Sequence, residues 1–219
     1  MFNIENIPLL LTGMRVTLIV WGGSALCSLV LGTVFGLLCC APLRIPIIAP
    51  LMSAITMVLR GIPFYIQLLI AYFVIPDLLG LANVNASLMA TLALGLCSAA
   101  YTSQAVVSGI NGIATAQWET AFVLGYSPLQ TIRFIILPQL IAAITPALCA
   151  EADQLIKSTA IFSSIGIMEL TGMARNIITR EFNPIPIYLT IAGMYLVISL
   201  TLNGIIRLAQ KTRRTYAKS

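Results

Sequence analysis

Glu151, Asp153 and Lys157 stand within two helical turns of one another in the stretch PALCAEADQLIK, residues 146–157. Two carboxylates and an ammonium at that spacing can pair with one another or recognise a charged ligand. Asp153 and Lys157 are four apart with the acid first, the favourable order for pairing along one helix face, and they are read as mutually satisfied. Glu151 is different. Its helical neighbours at three and four positions are Ala147, Leu148, Gln154 and Leu155, none of them cationic, and it lies about 200° around the helix from Asp153. Its counter-charge must come from elsewhere.

The elements that hold these residues are set by the solvent for which the chain is built. Of 219 residues 59% are hydrophobic and 9% charged, with a mean hydropathy of +0.98, whereas soluble domains carry about 25% charged residues. A bilayer span needs roughly 20 mostly apolar residues. Candidate spans run over about Leu9 to Cys40, Ile45 to Ile75 with Arg60 inside it, Ser87 to Asn111, Pro138 to Ile161, and Ile187 to Ala209. The expected fold class is an all-α integral membrane protein of about five transmembrane helices. Pro76, Asp77, Gly80, Asn83 and Asn85 mark the turn between spans two and three, and Pro184 and Pro186 precede span five.

Lysine and arginine are enriched in cytoplasmic segments near span ends. The tail residues Arg207, Lys211, Arg213, Arg214 and Lys218 therefore place the C-terminus inside, and five spans place the N-terminus outside. Arg44 and the segment 112–137, with Arg133, then fall in the cytoplasm, whereas Arg175 and Arg180 fall outside near Glu169 and Glu181. Glu5 and the absence of a basic leader argue against a cleaved signal peptide. The net charge of +5 reflects this topology, with no nucleic-acid partner expected.

Spans two and four both run from inside to outside. At 1.5 Å per residue, Arg60 is about 21 Å beyond Pro46 and Glu151 about 20 Å beyond Pro138, so the two lie at similar depth. Two readings stay open. They can form an ion pair that joins helices, or line a water-filled cavity near the midplane, where intramembrane charge marks a substrate path. Gly61 and Pro63 favour the second, because they interrupt span two beside Arg60 and expose backbone amides.

Other chemistries lack material. Cys27, Cys39, Cys40, Cys97 and Cys149 lie in span sequence without paired spacing and read as small buried hydrophobes. With no histidine, a zinc site or imidazole relay has no basis, and no phosphate-binding glycine loop of the ATPase type is present. No nucleophile–base constellation supports a membrane-anchored enzyme.

The segment from Gly112 to Pro138, GIATAQWETAFVLGYSPLQTIRFIILP, reads as helix, tight turn, helix. Trp118 to Leu124 is helical, and Gly125 follows where a left-handed C-terminal cap belongs. Ser127, Pro128 and Gln130 are the N-cap, first and third positions of a new helix. Pro138 should bend or stop that helix as span four begins.

Glu119, Ala121, Gly125, Ile135, Leu137 and Pro138 fit E-A-A-x3-G-x9-I-x-L-P, with Thr120 replacing the second motif residue. This pattern resembles the signature of permease subunits of bacterial ABC importers. LRGIPFYIQLLIAYFVIP (59–76), with Ile62 and Ile66 as departures, SAAYTSQ (98–104) and the stretch KSTAIFSSIGIMELTG (157–172) are similar to segments of the polar amino-acid permeases, and the type suggested is that for histidine, arginine and lysine. The resemblance covers roughly Thr12 to Arg207. It implies one transmembrane domain over residues 1–219 and location in the bacterial cytoplasmic, or inner, membrane. It also implies a cytoplasmic coupling helix between spans three and four, with Glu119, Thr120, Ala121, Gly125 and Pro138 as ATPase-coupling residues. Expected partners are two copies of an ATP-binding subunit, a second permease, identical or homologous, a periplasmic or extracellular amino-acid-binding protein, and lipid. ATP and magnesium would sit on the ATP-binding subunit, with no cofactor in this chain and no enzymatic activity of its own.

On the cavity reading Arg60, with amides near Gly61, would receive an amino acid's carboxylate, and Glu151, which the resemblance also implies, its ammonium or cationic side chain. Gln154, Tyr65, Gln67, Ser98 and Tyr101 are further lining candidates. Here Ala150, Glu151, Ala152 and Asp153 occupy the family's N-E-V-I positions. The rival reading, an ATP-independent secondary transporter or channel, would call for internal repeats, and no convincing halves are found.

Overall fold

Apolar runs that must satisfy their backbone without water fold as helices, and each predicted span does so. The computed structural model describes residues 6–40, 47–81 and 83–216, the side chains only as far as residue 206. Arg44, Pro46 and the side chains of the basic tail lie outside that set. In chain order the helices are α1 (Ile7–Cys39), α2 (Ile48–Gly61), α3 (Phe64–Leu78), α4 (Ala86–Asn111), α5 (Thr115–Val123), α6 (Pro128–Ile165), α7 (Leu170–Glu181) and α8 (Pro184–Tyr216). Helices α1, α4, α6 and the Pro184–Ile206 part of α8 are each long and apolar enough to cross a membrane, four spans among the described residues, or five where the bent pair α2 and α3 is counted as one.

The break follows from local sterics. Proline disfavours the helical conformation in the residue before it, and Ile62, ahead of Pro63, is extended, with φ −95° and ψ 129°. Gly61 stays helical as the last residue of α2, so Pro63 makes the interruption. Of the bend or stop expected at Pro138, the stop does not occur. Pro138 lacks the amide that would bond the carbonyl four residues back, and the helix widens into a π turn over Ile132–Ile136, where Leu137 N–H donates to the Ile132 carbonyl. The chain then continues helically through Pro138. The same device precedes Pro76, with a π turn over Ile70–Val74.

The chain packs as two compact units. The first comprises Met1–Ser24, Tyr65–Leu94 and Ala152–Ser219, and its core joins Leu10 to Leu170, Ala174, Ile177, Ile187 and Ile191. The second comprises Ala25–Phe64 and Gly95–Glu151, with Cys40, Val106, Ile110 and Leu140 at its core.

In the first unit Glu169 is fully buried and caps α7: its carboxylate accepts from the amides of Gly172 at 2.8 Å and Thr171 at 2.9 Å. Tyr195 Oη donates to it at 3.0 Å and Thr17 Oγ1 at 3.5 Å. Burial holds this carboxyl above the ordinary carboxylate range, against the opposing pull of those donors.

Candidate functional site

Glu151 projects from α6 inside the second unit and is half-buried. Ser98 of α4 donates to its Oε1 at 2.6 Å. Behind Ser98 stand two more buried hydroxyls, with Ser28 of α1 at 2.8 Å from Ser98 and 2.9 Å from Thr102. Of the predicted residues, Glu151 and Ser98 are thus brought together. Ser28 and Thr102 were not anticipated; the available signal was the i, i+4 spacing of Ser98 and Thr102 and the small-residue spacing Ser28, Gly32, Gly36.

Arg60 and Glu151 form no ion pair. Arg60 Nε donates to the Thr56 carbonyl at 3.2 Å, and its side chain lines a cavity of about 500 Å³ with Ser53, Thr56, Ser103, Gln104 and Cys39. Ser98 and Thr102 face the carboxylate and Ser28, whereas Ser103 and Gln104 line the cavity, so the two features use different faces of α4. Gly61 is exposed, and Tyr101 is 45% exposed. Tyr65, Gln67 and Gln154 belong to the first unit; Tyr65 and Gln154 are exposed and Gln67 is half-buried.

Asp153 and Lys157 make the expected pair at 2.5 Å. Asp153 also accepts from Ser199 and, at 3.2 Å, from Asn203, both on α8, so this carboxylate is spent within its own unit.

The hairpin between α5 and α6 forms as its sequence requires. Gly125 is left-handed at φ +79°, its amide donates to the Phe122 carbonyl, and the Tyr126 amide reaches back to Ala121, both at 3.0 Å. That is the double bond pattern of a glycine-terminated helix. The next helix opens on a reciprocal cap, with Ser127 N–H donating to Gln130 Oε1 at 2.9 Å and Gln130 N–H to Ser127 Oγ at 3.3 Å. Ala121 is buried, Glu119, Thr120, Gly125 and Pro138 are exposed, and Phe122, Val123 and Leu124 project 82%, 83% and 68% exposed.

The family of binding-protein-dependent transport system inner membrane components matches residues 32–215. The chain belongs to this family. The permease is therefore a multi-pass protein of the bacterial inner membrane. It is 36% identical over 204 residues to the arginine transport system permease protein of Bacillus subtilis, covering 93% of this chain and 91% of that one. To the glutamine transport system permease protein of Escherichia coli it is 31% identical over 150 residues, 68% of each. Among solved structures, a crystal structure of an amino acid ABC transporter with histidines superposes with a TM-score of 0.86 at 29% identity, covering 95% and 96% of the two chains. The methionine ABC transporter in an inward-facing form shares the fold, with a TM-score of 0.74 at 21% identity over 94% and 99%.

Proposed function

We propose that the whole permease works as one transmembrane domain of an ATP-driven importer that carries a polar, basic amino acid such as arginine. The observation that carries this reading is the exposed apolar ridge Phe122, Val123 and Leu124, followed at once by the glycine cap that ends its helix and the serine cap that opens the next. Three large apolar side chains in succession facing outward suit a protein groove better than solvent. In this reading the N-terminus is outside and the C-terminus inside, which puts the ridge in the cytoplasm against an ATP-binding subunit. Each of two ATP-binding subunits meets one permease, the second permease being identical or homologous. A periplasmic binding protein delivers the amino acid to the opposite face. ATP and magnesium act on the ATP-binding subunits, whose motion the hairpin transmits to α4 and α6.

The basic substrate is supported by the likeness to the arginine permease and by Glu151, which among the described residues faces no cation. Glu151 would receive the substrate's cationic group. Arg60, with Ser103 and Gln104 beside it, would receive a carboxylate at the cavity wall. The test is reconstitution of the complete transporter in proteoliposomes. ATP-dependent uptake of labelled L-arginine is expected, and Phe122→Asp should lower both the recovery of the ATPase on the permease and uptake by at least tenfold, about the cost of one lost interface anchor. A permease that carries arginine at full rate without ATPase, or that retains its ATPase in Phe122→Asp, would contradict the reading.

A further inference from the structure

Three buried hydroxyls lead to Glu151, and their order has a direction. A hydroxyl has one proton to give and an ionised carboxylate can only accept. Ser98 donates its proton to Glu151 Oε1, so its bond with Ser28 must be donated by Ser28. Ser28 has then spent its own proton, and its bond with Thr102 must be donated by Thr102. The series runs one way, from Thr102 to Ser28 to Ser98 to the carboxylate.

Several other helical hydroxyls behave differently. Threonine and serine in apolar helices ordinarily donate to the carbonyl three or four residues back, and Thr33, Thr91, Thr190 and Thr201 all do so. Ser28, Ser98 and Thr102 make no such bond. Their protons are kept for one another and for Glu151.

Close helix approach keeps the series in place. A Cβ on Gly32 would stand 2.5 Å from Thr102 Cβ and 2.8 Å from the Ala99 carbonyl, and one on Gly36 would stand 2.6 Å from Val106 Cβ. Only glycine lets α1 lie near enough to α4 for Ser28 to bridge Ser98 and Thr102.

We infer that Ser28 and Thr102 are positioning residues for Glu151, polarising Ser98 so that Oε1 of the ionised carboxylate is fixed and Oε2 is left to the cationic group of the substrate. Among the described residues Ser98 is the one donor that Glu151 meets, and it is met at Oε1, with no described partner on Oε2. The ligand class rests on the reading of Glu151 under Proposed function, whereas the hydroxyl series rests on this structure alone.

The test uses the complete transporter. Infrared difference spectra between wild type and Glu151→Gln isolate the Glu151 carboxylate band without any ligand, and L-arginine uptake gives KM and kcat. Ser28→Ala is expected to shift the band and raise KM about tenfold, roughly the worth of one hydrogen bond, with kcat within about twofold. Thr102→Val should move both in the same direction by less, and Thr102→Ser, which restores the hydroxyl, should return them to wild type. The inference is overturned if the wild type has no carboxylate band at this position, if Ser28→Ala leaves the band and KM unchanged, or if Thr102→Ser behaves like Thr102→Val. A shifted band combined with arginine uptake indifferent to Glu151→Gln would sustain the series and overturn the substrate reading alone.

Discussion

Glu169 accepts hydrogen bonds from two backbone amides, a tyrosine and a threonine, whereas Glu151 accepts from one serine. Both carboxylates sit in helical, apolar surroundings of the same chain, in different units. The first is closed, with both oxygens engaged and no exposed surface. The second is open, with one oxygen held and the other offered. A saturated carboxylate caps a helix and ties segments together; a half-satisfied one leaves an oxygen for a cation, the role proposed for Glu151. The two carboxylates differ most in the donors they meet, four at Glu169 and one among the described residues at Glu151.

That contrast gives three outcomes in order of size. Replacing Glu151 by Gln keeps shape and removes charge, and kcat/KM for arginine uptake should fall by at least about 100-fold, the effect of deleting one partner of a desolvated charge pair worth ~3–5 kcal/mol. Replacing Glu169 by Ala removes a helix cap and strands the tyrosine hydroxyl, so thermal unfolding of the detergent-solubilised permease should show a loss of about 1–3 kcal/mol. The smallest effect is that of pH. Burial raises the Glu169 pKa in the fold, so the fold favours the protonated form more than the unfolded chain does. Stability from this group is then fullest below the ordinary carboxylate value and is lost as pH rises through the raised one. The midpoint of thermal unfolding should therefore drop between acid and neutral pH in the wild type, and part of that drop should vanish in Glu169→Gln.

What the sequence reveals is local. Gly125, Ser127, Pro128 and Gln130 specify their turn through bonds spanning five residues or fewer, and every one of those bonds forms. The spans are equally legible, because a bilayer demands long apolar runs. The Asp153–Lys157 pair follows from spacing on one helix. Residues that act across helices are not legible in this way. Ser28 looks like any small residue in an apolar span, and its importance depends on Gly32 and Gly36 bringing α4 into reach. Glu169 follows an uncharged stretch and reads as a surface acid, since nothing local tells that Thr17 and Tyr195 close over it. At Pro138 the sequence leaves bend or stop open, and the lost amide is absorbed by a wider turn, so the helix continues.

The most direct measurement compares Glu151→Gln with Glu169→Gln in the reconstituted transporter, scoring L-arginine uptake per assembled complex. The account predicts that Glu151→Gln yields normal amounts of complex with almost no uptake, and that Glu169→Gln yields less complex with uptake per complex preserved. Normal uptake per complex in Glu151→Gln, or a transport defect in Glu169→Gln at full assembly, would contradict it.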